Sequence, residues 1–444
     1  MKGLCRVLGL AVLVLCVANA QQTSATPAPQ SSGDLAAMEQ RMRDLEDRVI
    51  TLEGQLRQLK AQGGTTAPPA TPPSAPTVQT SSTTEQGAAG SAAQVEEPRL
   101  GGAGAAASKA LNPDVSVIGD FISGAGRNPF VRTPSFEMHE SEIGLQAIVD
   151  PYARADFFIS FGEQGVNLEE GFITFTALPK NFVAKAGKMR AAFGRVNTLH
   201  NHVLPWVDRP LVSQNLVGGE DGINDAGISV QHIIPGPKDW FLEATGQVYR
   251  GDSADVFTAT NKNDLSVVGH FRAYRDLTEN SNIDLGGSYS RGHNLFGSDF
   301  VTNLYGVDAT FRWKPLQRAI YRSFVMRSEF IWRQQQQPSL VACVIVTCPA
   351  SIAPGFQRAF GFYTSGDYQF ARRWFAGARL DSADRPFNAR LNDKGGSLVL
   401  TYWPSEFAQI RGQYRFTRYT QNIDAHELFM QVQFALGAHG AHPF

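Results

Sequence analysis

Past its N-terminal segment, the chain nowhere strings together the roughly 18 apolar residues that a membrane-spanning helix needs. Charged residues make up only 18%, yet the mean hydropathy is −0.20, too polar for a helical membrane bundle. A net charge of −1 gives no electrostatic reason to expect a nucleic-acid partner. There is no Gly-x-Ser-x-Gly elbow, no phosphate-binding loop and no H-E-x-x-H helix, so no enzyme and no cofactor are expected. Cysteine is reduced to four residues, and two of them, Cys5 and Cys16, lie in the N-terminal segment.

That segment has the layout of a secretory signal over residues 1–20. Lys2 and Arg6 are its basic region, Leu8–Val17 its apolar core, and Ala18-Asn19-Ala20 a small-x-small cleavage site. Cys16 offers a lipoprotein alternative, against which the large Leu15 argues. The two remaining cysteines, Cys343 and Cys348, fall in one polar gap. An even pair in an oxidising compartment suggests a small loop-pinning disulfide, with two free thiols as the alternative.

Within 33–62, Leu35, Met38, Met42, Leu45, Val49, Leu52, Leu56 and Leu59 recur at spacings of three and four. That is a coiled-coil seam, expected in the periplasm, and it does not fix dimer against trimer. Residues 63–110 are rich in Ala, Pro, Thr, Ser and Gly and cannot bury a core, so a disordered linker is expected there.

From Leu111 to Phe444 the strand candidates alternate between short and long gaps. The short gaps hold turn residues: Asp150-Pro151, Leu178-Pro179-Lys180, Pro235-Gly236-Pro237, Lys314-Pro315-Leu316 and Trp403-Pro404-Ser405. The long ones culminate in Arg190–Asn224 and Gln334–Gly355. This is the layout of an all-β, 16-stranded antiparallel transmembrane barrel over 111–444, with short periplasmic turns and long external loops. The strands are expected near 115–122, 137–149, 152–162, 167–177, 181–189, 225–234, 240–250, 265–275, 282–292, 300–313, 321–333, 357–369, 373–383, 395–403, 406–419 and 426–436.

Along the last strand Leu428, Met430, Val432, Phe434 and Leu436 share one face, and Glu427, Gln431 and Gln433 the other. Alternation alone fits a soluble sandwich as well as a barrel. Aromatics at strand ends (Tyr152, Trp240, Trp313, Trp332, Trp374, Trp403, Tyr419) and the secretory signal favour a barrel with apolar residues toward lipid.

By that parity the lumen is lined by Glu140, Glu142, Arg154, Asp156, Glu170, Lys185, Glu243, Arg272, Asp308, Arg312, Arg327, Glu329, Arg333, Arg379, Asp381, Arg411 and Arg415. Acids dominate the early strands and arginines the late ones. Such opposed charges would set up a transverse field, unless they simply pair with one another. The 190–224 segment is too long for a plain loop. It is expected to fold inward and constrict the lumen with Arg195, Asp208, Arg209, Glu220 and Asp221; the alternative is an external cap on a neighbouring subunit. His200 and His202 form an H-x-H pair that suits zinc or copper but lacks a third ligand, and His439 and His442 in the tail are expected at the opposite rim.

Several runs carry a resemblance. They are Leu111-Asn112-Pro113-Asp114-Val115-Ser116-Val117, Lys185–Arg190 with Phe193-Gly194-Arg195, His200-Asn201-His202, Trp206-Val207-Asp208-Arg209-Pro210-Leu211-Val212, and Gly437–Phe444. With them the chain resembles bacterial proteins labelled zinc-regulated TonB-dependent outer-membrane receptors. The coiled coil, linker and barrel together also resemble phosphate-selective porins O and P. The first likeness implies zinc-linked, energy-coupled uptake, but no plug segment and no coupling box are evident in the sequence. The second implies trimers and anion passage.

The expectation is therefore a porin in the bacterial outer membrane that passes small hydrophilic solutes or ions passively. It would contact outer-membrane lipid and trimerise through barrel and coiled coil. A zinc-linked receptor, or a non-conducting anchor whose coiled coil grips peptidoglycan, are the alternatives.

Overall fold

In the computed structural model the described residues are 113–131, 135–162, 165–253, 255–338 and 353–437. The expected signal segment, coiled coil, linker, Cys343–Cys348 pair and His439 and His442 lie outside them.

Sixteen antiparallel strands form one closed barrel in which each pairs with its sequence neighbours. They are β1 (Asp114–Arg127), β2 (Phe136–Asp150), β3 (Ala153–Gly162), β4 (Gly165–Phe175), β5 (Phe182–Arg190), β6 (Asn224–Ile234), β7 (Phe241–Tyr249) and β8 (Ser266–Thr278). The second half comprises β9 (Ser281–Asn294), β10 (Gly297–Trp313), β11 (Ser323–Gln335), β12 (Gln357–Ala371), β13 (Trp374–Arg385), β14 (Asn388–Ser405), β15 (Ala408–Tyr419) and β16 (Ile423–Gly437). β1 closes the cylinder on β16, with Phe121 opposite Val432. Closure leaves no strand edge unpaired, which an apolar surrounding could not solvate.

The short turns follow from their residues. At Asp150-Pro151 the ring fixes φ, and the Asp150 carboxylate accepts the Tyr152 N–H at 2.7 Å. The expected strands match the observed ones closely. β14 is the main exception: it begins at Asn388, against an expectation of 395, and pairs with β13 across Asp384 and Asn392.

The two faces are sorted as the barrel reading requires. On β16, Leu428 and Met430 are 57% and 51% exposed, whereas Glu427 and Gln431 are 3% and 1% exposed. β15 repeats the pattern, with Ile410 and Tyr414 outward and Gln409, Arg411 and Gln413 buried. A sheet closed with its apolar side chains out and its polar ones in is the inverse of a soluble barrel.

The interior is more than a polar lining. The chain between β5 and β6 carries a short helix, α1 (Leu211–Leu216), that packs on β11–β14. Phe193, Trp206, Val212 and Leu216 of this segment form an apolar core with Leu304, Ile331, Tyr363, Ala383 and Val399 of the inner sheet face. Val256 and Phe257, from the connection between β7 and β8, join the same core.

Among the register shifts in the ladders, two β-bulges in the early strands re-aim side chains toward the interior. The register of β1 on β2 slips between Asp120 and Phe121, leaving His139 as the extra residue. The register of β3 on β4 slips between Phe158 and Ile159, leaving Glu169 as the extra residue. Each bulge adds a residue that the alternation would have sent to the other face.

Candidate functional site: the strap across the barrel interior

The segment 191–223 spans the barrel interior and is fastened on several sides. At its start, Gly194 takes φ 61°, and its N–H donates to Ser288 Oγ at 2.9 Å. A side chain there would run into Glu329. The next N–H, that of Arg195, donates to Glu329 Oε1 at 3.1 Å. These contacts tie the strap to β9 and β11.

Further on, the strap meets the early strands. His200 Nδ1 lies 2.7 Å from Glu142 Oε2 and 3.2 Å from Glu169 Oε2, and its Nε2 lies 2.7 Å from Glu170 Oε2. His202 Nδ1 is 3.7 Å from the same Glu142 oxygen. Burial opposes charge on His200, but the carboxylates of Glu142, Glu169 and Glu170 outweigh it and hold the imidazole well above its ordinary range.

Beyond Trp206 the strap turns to the late strands. Asp208 Oδ2 accepts from Arg379 Nη2 at 2.9 Å and from Arg415 Nη1 at 2.8 Å, and Asp208 Oδ1 accepts from Gln413 Nε2. The Asp208 carboxyl is buried, which alone would raise its pKa. Arg379 and Arg415 reverse that and hold it well below the usual carboxylate range. Trp206 lies beneath the Arg379 guanidinium, 4.8 Å from its ring centroid, and meets Tyr363 edge-on at 5.2 Å.

Arg209 is buried and serves the strap itself. It donates to Asn201 Oδ1 and to the carbonyls of Val196 and Leu199 at 2.6–2.9 Å. Burial pulls its pKa down to about 9. Glu220 and Asp221 sit at the exposed end of the strap, where Arg190 Nη1 holds their carbonyl oxygens at 3.0 and 3.1 Å. Of the five residues singled out for a constriction, Asp208 bridges strap and sheet. Arg195 is held through its backbone, Arg209 stays within the strap, and Glu220 reaches His139 at 3.5 Å.

The residues expected to line the lumen are buried or half-buried, and many of them are paired. Arg154 meets Asp156 at 3.0 Å, Arg272 meets Asp284 at 2.8 Å, Arg379 meets Asp381 at 2.8 Å and Arg415 meets Glu427 at 2.6 Å. Arg327 is bonded to Asp367 across β11 and β12 at 2.6 Å. Arg411 is held instead by neutral partners, Thr401 and Gln431. Lys185 lies over the Phe172 ring at 4.9 Å. Glu142 and Glu170 meet at His200, although 28 residues separate them in the sequence. Arg312 faces Asp284 at 3.8 Å, and Asp308 lies beside Gly286 on β9.

Sequence reasoning missed Glu169, His139 and Arg190. The bulges put the first two inside. Arg190, the last residue of β5, turns in to hold Glu169 at 3.1 Å. The tandem Glu169-Glu170 is the one sequence signal that could have pointed here.

No family model matches the chain. It is 28% identical over 399 residues to an uncharacterised protein of Aquifex aeolicus (strain VF5), covering 76% of this chain and 81% of that one. Among solved structures it is similar to OmpF of Salmonella typhi in complex with daunomycin, with 8% identity, 73% and 97% of the two chains covered and a TM-score of 0.48. It is also similar to the outer membrane channel DcaP of Acinetobacter baumannii, at 12% identity, 73% and 96% coverage and a TM-score of 0.47. OmpT, an outer membrane protein of Vibrio cholerae, gives 8% identity, 73% and 97% coverage and a TM-score of 0.47. At such TM-scores these likenesses carry no weight, and the TonB-dependent receptor label gains no support from them. The barrel is read from this chain's own strand order, register and sorted faces.

Proposed function

We propose that the chain is a porin of the bacterial outer membrane, giving small hydrophilic solutes or ions a passive route through the space its strap leaves. The observation that carries this reading is the sorted cylinder: sixteen closed strands, apolar side chains outward, and charged and amide side chains inward. The strap's bonds to both the acidic early strands and the arginine-bearing late strands support a narrowing at 191–223. Homo-oligomers, trimers among them, fit this reading, as does a coiled coil in the periplasm.

The test is reversal-potential measurement on the purified protein in a planar bilayer under a salt gradient. A steady conductance with a finite reversal potential supports the porin and gives its charge preference. Absence of conductance from correctly inserted barrels sinks it.

A second reading rests on the buried core of the strap. Phe193, Trp206, Val212 and Leu216 pack like a domain interior, each at or below 1% exposure. That favours a barrel that stays closed until the strap moves. The same bilayer experiment would then show silence broken only when a strap contact is removed.

A further inference from the structure

We propose that the strap and the early strands together build a binding site for a divalent first-row transition ion, on Glu142, His200 and His202 with a further carboxylate from Glu169 or Glu140. The H-x-H pair lacked a third ligand in the sequence, and the fold supplies one. The ligand atoms of Glu142, His200 and His202 lie within 4.8 Å of one another, as do those of Glu140, Glu142 and Glu169, so the two groups share Glu142.

The spacing fits a small ion. Ligand atoms bound about 2.0–2.1 Å from one tetrahedral centre stand about 3.3 Å apart. Around Glu142 Oε2 and His200 Nδ1 the observed separations are 2.7, 3.2 and 3.7 Å. His200 also has the outer partner that a metal-bound imidazole uses: with Nδ1 turned to the ion, its Nε2–H donates to Glu170 at 2.7 Å.

The competing account is a purely ionic cluster with His200 protonated between two carboxylates. It can hold Glu140 only as a neutral acid that shares its proton with Glu169: that side chain is 6% exposed, and no other donor reaches its oxygens. His200 answers Glu142 and Glu170, and Arg190 answers Glu169. A second proton on His202 would set two imidazolium rings 5.6 Å apart without reaching Glu140. A divalent ion neutralises the surplus carboxylates directly. Imidazole nitrogens in the set favour zinc-like ions over calcium or magnesium, which take oxygen ligands. Both bulges on the early strands, at His139 and Glu169, fall beside this cluster, as expected where side chains are re-aimed toward a site.

Such an ion would pin the strap at residues 200–202 to β2 and β4. The site itself stands on geometry. Only its consequence for conductance rests on the porin reading.

The test uses the folded full-length barrel, stripped with a chelator and dialysed against Zn²⁺ or Co²⁺. Bound metal is measured by mass spectrometry, and Co²⁺ geometry by visible absorption. The expected result is one equivalent bound and a four-coordinate Co²⁺ spectrum. His202→Ala and Glu142→Gln should each lose that equivalent or weaken it at least tenfold. His202→Ala keeps the carboxylate contacts of His200, so its barrel should still fold, as unheated electrophoretic mobility will verify. Wild-type barrel that binds no metal overturns the proposal, as does binding that survives both substitutions unchanged. Metal binding without any effect on conductance leaves the site standing and counts against the strap as a gate.

Discussion

His200 and Asp208 lie on the same strap eight residues apart and hold different parts of the barrel wall: His200 meets Glu142 on β2 and Glu170 on β4, each at 2.7 Å, and Asp208 meets Arg379 on β13 at 2.9 Å and Arg415 on β15 at 2.8 Å. The strap is thus complementary to its cylinder, with an imidazole toward the acidic strands and a carboxylate toward the arginines. Two ends fastened in this way, with Trp206 packed between them, resist being pulled to one side.

Asp208→Asn should loosen the strap. It leaves Arg379, 1% exposed at its side chain, and Arg415 without their shared carboxylate. Each arginine keeps a second carboxylate, Asp381 or Glu427, so the loss should fall below the roughly 3–5 kcal/mol of a buried pair broken outright. The thermal midpoint of the unheated electrophoretic band should fall, and protease should cut within 191–223. Asp221→Asn, at the exposed end, should change stability by no more than about 0.5 kcal/mol.

The same latch has a pH signature. The native Asp208 carboxyl is held below its ordinary range, so its stabilisation is present above the unfolded carboxylate pKa, about 3.9, and is lost as pH falls through the native value. The stability gap between wild type and Asp208→Asn should therefore be flat from about pH 5 to 8 and close only in strong acid. A gap that closes near pH 6 would mean the latch belongs to another group.

Trp206→Ala should cost about 3–5 kcal/mol, the usual range for emptying a buried aromatic site. The indole is 1% exposed and supports both Tyr363 and the Arg379 guanidinium. Trp206→Phe should recover most of that loss in the same melting measurement. If the alanine variant melts like wild type, the strap is not seated in the interior.

Charge selectivity should respond at Arg411, which is bonded to Thr401 and Gln431 rather than to an acid. No carboxylate bonds it directly, although Asp120 and Asp367 lie near enough to offset part of its charge, so Arg411→Gln should shift the reversal potential toward cation preference. The melting curve should change little. The paired Arg327, bonded to Asp367 at 2.6 Å, should give a smaller shift when replaced by Gln.

The strands were legible because a barrel writes itself in period two: each apolar residue that meets lipid is flanked by a polar one that does not. Gln409, Arg411 and Gln413 could be placed from parity alone. Parity fails at a bulge, so Glu169 and His139 were missed, although Glu170 beside the first was found. The partners of His200 were out of reach for a different reason. Glu142 lies 58 residues away, and only closure of the cylinder with an inward strap joins them. Trp206 and Val212 read as loop residues because an apolar core inside a polar lining has no periodic signature.

The most direct check is on the sorting of the two faces. Nitroxide labels placed singly along β16 of the reconstituted protein, with Cys343 and Cys348 replaced by Ser, report access to lipid-dissolved oxygen. Labels at 428, 430, 432 and 434 should be strongly relaxed by oxygen, and labels at 427, 429, 431 and 433 should not. Equal access at both sets, or the opposite alternation, would contradict a cylinder that turns its apolar side to acyl chains.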